Sequence, residues 1–136
     1  MRLIVCLDER RGMAFAERRQ SKDRRVTEDI VRELDGGVLY ISPYSEKLFK
    51  DHDVRLEVAP DPIAAARGVV GATVFLENLP APREPAGIDA VTLYLWGETY
   101  PADLTFDMEL SAFRRRGTFT FKGNSHDNIT KEIYTK

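Results

Sequence analysis

The stretch Val91–Asp107, VTLYLWGETYPADLTFD, decides how this chain is read. Its first six residues are almost unbroken apolar side chains. That is the pattern of a strand covered on both faces, as in an α/β sheet. Gly97 and Pro101 then break the run, and a short connection leads to Phe106. A strand covered on both faces needs neighbours, and three other runs supply them: Arg2–Leu7 (RLIVCL), Val38–Ile41 (VLYI) and Ala72–Leu76 (ATVFL).

Helical patterns lie between these runs. Val26, Ile30 and Leu34 recur at i, i+4 spacing and predict a helix, with Ser21 as its cap and Asp35-Gly36-Gly37 as its end. Ser42-Pro43 opens a short helix over YSEKLF, and Ile63–Ala66 starts another that ends near Gly68. Val54–Val58 alternates apolar with polar residues and reads as a more exposed strand. Asp8–Gly12 reads as a turn, and Pro80–Gly87, with three prolines, as a loop. FRRRGTFTF (Phe113–Phe121) and NITKEIY (Asn128–Tyr134) read as two strands flanking the turn KGNSHD. The expected architecture is one α/β domain over residues 1–136. Its sheet is mixed and mostly parallel, flanked by helices, with an antiparallel C-terminal edge.

Composition narrows the function classes. A chain of 136 residues with 43% hydrophobic content suits one compact core. A net charge of -2 gives no global attraction to nucleic acid, so an RNA partner would need a local basic patch. The single cysteine, Cys6, allows no intrachain disulfide and reads as a core thiol. Two histidines and one cysteine are few for a zinc site, and neither a metal nor a resident cofactor is expected. No apolar run is long enough to span a bilayer, and the N-terminal run is short and soon followed by charges. The expectation is a cytoplasmic protein with no membrane partner; the sequence leaves oligomeric state open.

The order of elements resembles dihydrofolate reductase over nearly the whole chain. MRLIVCLDERRGM is similar to that family's first strand and glycine-containing loop, with Gly12 in place. QSKDR, Gln20–Arg24, falls where the family has L-P-x-D-L, which puts Asp23 at the acid that contacts the pterin. VLYISPYSEKLF is similar to V-I-M-G-R-x-T-W-E-S-I, with Ser45 at the threonine. VTLYLWGETYPADLTFD is similar to the strand and G-D-T-x-F-P block, with Asp103 and Phe106 on its acid and aromatic. SAFRRRGTFTFKGNSHDNITKEIYTK resembles the closing hairpin.

The resemblance implies a dihydrofolate reductase-like fold without implying folate reduction. Glu77 and Asn78 stand where the family has a Gly-Gly pair that lets backbone approach the cofactor pyrophosphate. Pro43 aligns with the arginine that reads the cofactor phosphate. Arg18-Arg19 replaces the Pro-Trp of the substrate loop, and Arg24 and Thr27 replace apolar residues of the pterin pocket. The segment holding the arginine for the folate glutamate tail is missing. A second resemblance links RRQSKDR and GNSHDNITKE to short bacterial proteins often labelled ribonuclease Z. This chain lacks the H-x-H-x-D-H zinc motif, so that activity is not implied.

Candidate site residues carry two readings each. Arg18, Arg19, Lys22 and Arg24 can grip an anion near a helix start, or form a solvated face paired with Asp23 and Glu28. Asp23 can orient a ligand or act as an ion-paired first-turn acid. Ser45, beside Tyr44, can hold a phosphate or cap its helix. Trp96 can stack on a flat ring or fill the pocket a cofactor would occupy. His126 reads as a turn histidine bonded to backbone that can also meet a ligand phosphate or base. Its neighbour Ser125 lacks the geometry of a triad, with no orienting acid beyond Asp127. His52 reads as exposed loop.

Three functions follow. The first is a catalytically degenerate dihydrofolate reductase-like domain, a pseudoenzyme binding an anionic small molecule or nucleotide. The second is an RNA-binding or RNA-processing accessory that joins the same arginines to Arg114, Arg115 and Arg116. The third is an oxidoreductase with altered substrate and cofactor pose.

Overall fold

A computed structural model describes residues 1–136. Ten strands, two α-helices and one 3₁₀ helix follow in the order β1 (Arg2–Leu7), β2 (Gly12–Phe15), β3 (Arg18–Arg19), α1 (Arg24–Leu34), β4 (Val38–Ile41), the 3₁₀ helix Pro43–Phe49, β5 (Arg55–Val58), α2 (Pro62–Ala66), β6 (Thr73–Leu76), β7 (Ala90–Leu95), β8 (Leu104–Thr105), β9 (Arg114–Phe121) and β10 (Ile129–Thr135). Seven of the strands form one sheet, ordered β5-β4-β6-β1-β7-β10-β9. The pairings of β1 with β6 and β7, and of β4 with β5 and β6, are parallel. β10 runs antiparallel to both β7 and β9 and makes the antiparallel edge. This is the mixed, mostly parallel sheet expected from the sequence.

The central strands are apolar throughout because each face meets a separate core. On β1, Leu3, Val5 and Leu7 point into a cluster with Ile63, Val74, Leu93 and Phe106. Ile4 points the other way, toward Val26, Ile30, Phe75, Tyr94 and Trp96. Period-two alternation thus sends neighbouring residues to opposite cores. Helix α1 lays Val26 and Ile30 on the second core, with Leu34 half-buried at its end.

Four details differ from the sequence reading. Asp23, not Ser21, is the N-cap of α1, and its carboxylate accepts from the Arg25 N–H. The left-handed residue ending α1 is Asp35, at φ 47, ahead of Gly36. Ser42 precedes the 3₁₀ helix without a side-chain capping bond. The segment after β1 is not only a turn: β2 and β3 form a hairpin, and β8 joins β2 in a small second sheet. Its two-residue turn, Ala16-Glu17, holds both residues at positive φ, 50 and 64. Such a turn matches the twist of a hairpin, but the usual Asn-Gly signal is absent.

Candidate functional site

The two stretches singled out in the sequence, RRQSKDR and GNSHDNITKE, lie against each other. Asp23 is the knot between them. Its side chain has 0% exposure, and it accepts hydrogen bonds from three backbone N–H groups, of Arg25 (2.9 Å), Asn124 (2.9 Å) and Ser125 (2.8 Å). The Ser125 hydroxyl and His126 Nδ1, at 3.2 and 2.9 Å, complete the set. A Cβ on Gly123 would collide with this carboxylate, which gives the glycine of GNSHD a steric reason. Burial alone would raise the Asp23 pKa. The Asn124 N–H, the His126 ring and the Ser125 and Arg25 N–H groups outweigh it and hold the carboxyl well below the usual range.

His126 is only 6% exposed and is bonded to side chains, not to backbone as its turn position suggested. Nε2 lies 2.9 Å from Ser21 Oγ and 3.4 Å from the Tyr100 hydroxyl, which itself donates to Glu98. The ring stacks on Trp96 with centroids 4.7 Å apart. The orienting acid is Asp23, two residues after Ser21, rather than Asp127. Spacing along the chain gave no sign of this, because Asp23 and His126 are brought together only by α1 packing under the β9–β10 turn.

A second cluster sits at the end of β6. Glu77 is buried and accepts a two-pronged bond from Arg19, at 2.7 and 2.9 Å, and one from the Ser45 hydroxyl at 2.8 Å. The Arg19 guanidinium also covers the Tyr44 ring at 4.5 Å, and its backbone N–H donates to the Tyr44 hydroxyl. Arg19 and Ser45, read from the sequence as phosphate contacts, are both bonded to Glu77. Asn78 Nδ2 donates to the Glu17 carbonyl at 2.8 Å. The pair at the Gly-Gly position is thus tied into the β2–β3 hairpin. Nearby, burial and then the Glu77 charge push the Cys6 thiol up, against a lowering by Arg19.

Trp96 takes the second of its two readings. It is 3% exposed and closes the inner end of the cleft between α1 and the sheet. The cavity left beside it, among Cys6, Ser21, Lys22, Phe75 and Glu77, measures about 10 Å³. That is room for no more than about one water. Trp96 fills space and offers no face to a ligand.

Outside this plug the cleft opens to about 590 Å³, between α1, the end of the 3₁₀ helix and the β9–β10 turn. Lys22, Arg24, His52, Asn124 and Ser125 line it, with Glu28 and Asp51 among the acids. Lys22 makes no ion pair, whereas Arg24 pairs with Glu28 at 3.2 Å on the surface. His52, read as exposed loop, is half-buried and edge-on to Phe49. Arg18 is exposed on the hairpin and lines neither cavity. Arg114–Arg116 begin β9, while the turn after its other end lines the cleft. Five residues of strand, Gly117–Phe121, roughly 17 Å, separate Arg116 from that turn and from Arg24, which shares the cleft with it, so these arginines form no single patch with Arg24.

The sequence reading missed a third polar group altogether. Lys131 of the ITKE stretch is buried, bonded to Asp29 (2.7 Å) and Glu33 (2.6 Å), with its ammonium 5.7 Å from the Tyr94 ring centre. The Tyr94 hydroxyl donates to Asp29 at 2.6 Å. The strand alternation carried a signal for this, since Lys131 shares its face with Ile129 and Ile133, two residues to either side.

No protein-family model matches this sequence, and no curated protein does. Its three-dimensional form is similar to dihydrofolate reductase from Enterococcus faecalis complexed with NADP(H) and RAB-propyl. The TM-score is 0.65 at 13% identity, covering 98% of this chain and 94% of that one. The chain has a dihydrofolate reductase-like fold.

Proposed function

Taking that fold as the premise, we propose that this protein is not a folate reductase. It binds an anionic small molecule, nucleotide-sized, in the open cleft beside the start of α1. The observation that carries the reading is the division of the cleft. Trp96 and the Arg19–Glu77–Ser45 cluster occupy its inner end, and a polar space of about 590 Å³ remains outside. That volume suits a ligand of nucleotide size. Lys22 is free to pair with an anion, Arg24 can exchange Glu28 for one, and Asn124 and His52 add polar contacts. At the Gly-Gly position the Glu77 and Asn78 side chains, tied to Arg19 and to the Glu17 carbonyl, occupy the space through which backbone would approach a dinucleotide pyrophosphate.

A thermal-shift screen tests this, with NADPH, dihydrofolate, nucleoside phosphates and a short RNA, each at low and high salt. The expected result is a saturable shift with one class of nucleoside phosphate. Lys22→Ala and Arg24→Ala should each weaken it about tenfold, the loss of one charge-assisted hydrogen bond. A shift with NADPH would instead favour the oxidoreductase. A shift with RNA alone, falling steeply with salt, would favour the RNA-binding accessory.

A further inference from the structure

Ser21, His126 and Asp23 form a relay that the anion-binding reading leaves without a task. We propose that Ser21 is a nucleophile activated by His126, with Asp23 as the residue that positions the ring, and that the substrates are esters of small acyl groups. The hydrogen-bond partners of the imidazole point this way. Asp23, whose oxygens are already surrounded by donors, accepts the proton on His126 Nδ1 at 2.9 Å. In a neutral ring that leaves a lone pair on Nε2, directed at Ser21 Oγ 2.9 Å away. A hydroxyl on a base, with the base fixed by a carboxylate, is the arrangement that activates a serine.

The surroundings fit the same chemistry. The groups facing the imidazole are Asp23 and Ser21 from the start of α1, Trp96 and Tyr100 from the segment after β7, and Ser125 from its own turn. Glu98 reaches it only through the Tyr100 hydroxyl. Lys22, next in the chain, lines the cavity at Ser21 and has no ion-pair partner. Its positive charge would offset negative charge that develops on the carbonyl oxygen. Ser21 itself is half-buried, and the narrow space on its inner side has room for no more than about one water, so a substrate must approach from the exposed side, where only a small acyl group reaches the hydroxyl.

Ser21 Oγ attacks the ester carbonyl carbon, forming the Oγ–C bond while the carbonyl π pair moves onto oxygen. The hydroxyl proton passes to His126 Nε2. Collapse breaks the C–O bond to the leaving group, which takes that proton and departs as an alcohol. Water then repeats the sequence on the acyl-serine, releasing the acid and restoring Ser21.

The test is covalent labelling of the intact protein with a small fluorophosphonate, read by mass spectrometry with peptide mapping, alongside hydrolysis of p-nitrophenyl acetate. The expected result is one adduct, on Ser21, with fluoride displaced. It should disappear in Ser21→Ala and slow by about 10²–10⁴-fold in His126→Gln, the usual contribution of a general base. The labelling rate is recorded against pH in the unmodified protein and in Asp23→Asn, and the variant should change that profile, which loss of a residue holding only the fold together would not do. No adduct on Ser21, labelling that survives Ser21→Ala, or labelling indifferent to His126→Gln would each overturn the proposal. Labelling needs no ligand in the open cleft, so its failure is separate from a failure of anion binding.

Discussion

Asp23 is the residue on which most local structure converges, since one carboxylate caps α1 and also holds the β9–β10 turn. Truncating it to alanine would remove the cap and orphan the Asn124 and Ser125 N–H groups. The expected cost is about 3–5 kcal/mol, measurable as a shift in urea midpoint. The Arg19–Glu77 pair should behave differently. Removing either partner leaves a charge in a largely buried site and should cost about 3 kcal/mol, while the double replacement Arg19→Met with Glu77→Leu should cost less than the two singles summed. A double-mutant cycle by chemical denaturation checks this, and strict additivity would count against an interaction between them. These residues were visible in the sequence as charges, and the family resemblance picked out Asp23. What was not visible is who pairs with whom. Arg19 sits 58 residues from Glu77, and Asp23 sits 103 from His126. Only the sheet order closes those distances.

At the scale of elements, hydrophobic pattern gave the long buried strands and the body and end of α1, because burial on two faces leaves an unbroken apolar run and burial on one helix face leaves a period. It failed at the β2–β3 hairpin. Those strands hold four and two residues, too short for a period, and the turn between them is Ala16-Glu17 where Asn-Gly would have announced it. Both residues sit in the left-handed region at a steric cost of about 1 kcal/mol each. Substituting Asn-Gly for this pair, Ala16→Asn together with Glu17→Gly in one variant, should therefore raise stability by about 1–2 kcal/mol, seen as a higher midpoint in thermal unfolding. An unchanged or lower midpoint would mean that the contacts of Glu17 with its surroundings outweigh the strain.

For the whole molecule, acid is the condition that acts on every polar knot at once. Asp8, Asp23 and Asp29 are all buried, and burial alone would raise their pKa values. Donors outweigh it in each case: the Gly12, Tyr100 and Arg10 N–H groups with Gln20 for Asp8, the turn N–H groups and His126 for Asp23, and Lys131, Tyr94 and Arg32 for Asp29. Each carboxyl thus titrates lower in the folded than in the unfolded chain, so the unfolded chain takes up protons first as pH falls. The stability these groups contribute is complete above about pH 4 and is lost as pH drops through their folded values. Urea midpoints measured at pH 7 and pH 3 should differ accordingly, and equal midpoints would contradict the hydrogen-bonded state of these acids. The contact of Trp96 with the imidazole of His126 has a practical consequence of its own. This is the only tryptophan in the chain, so its emission reports on this one place alone. The molecule therefore carries its own optical reporter, whose emission changes whenever unfolding draws the two rings apart.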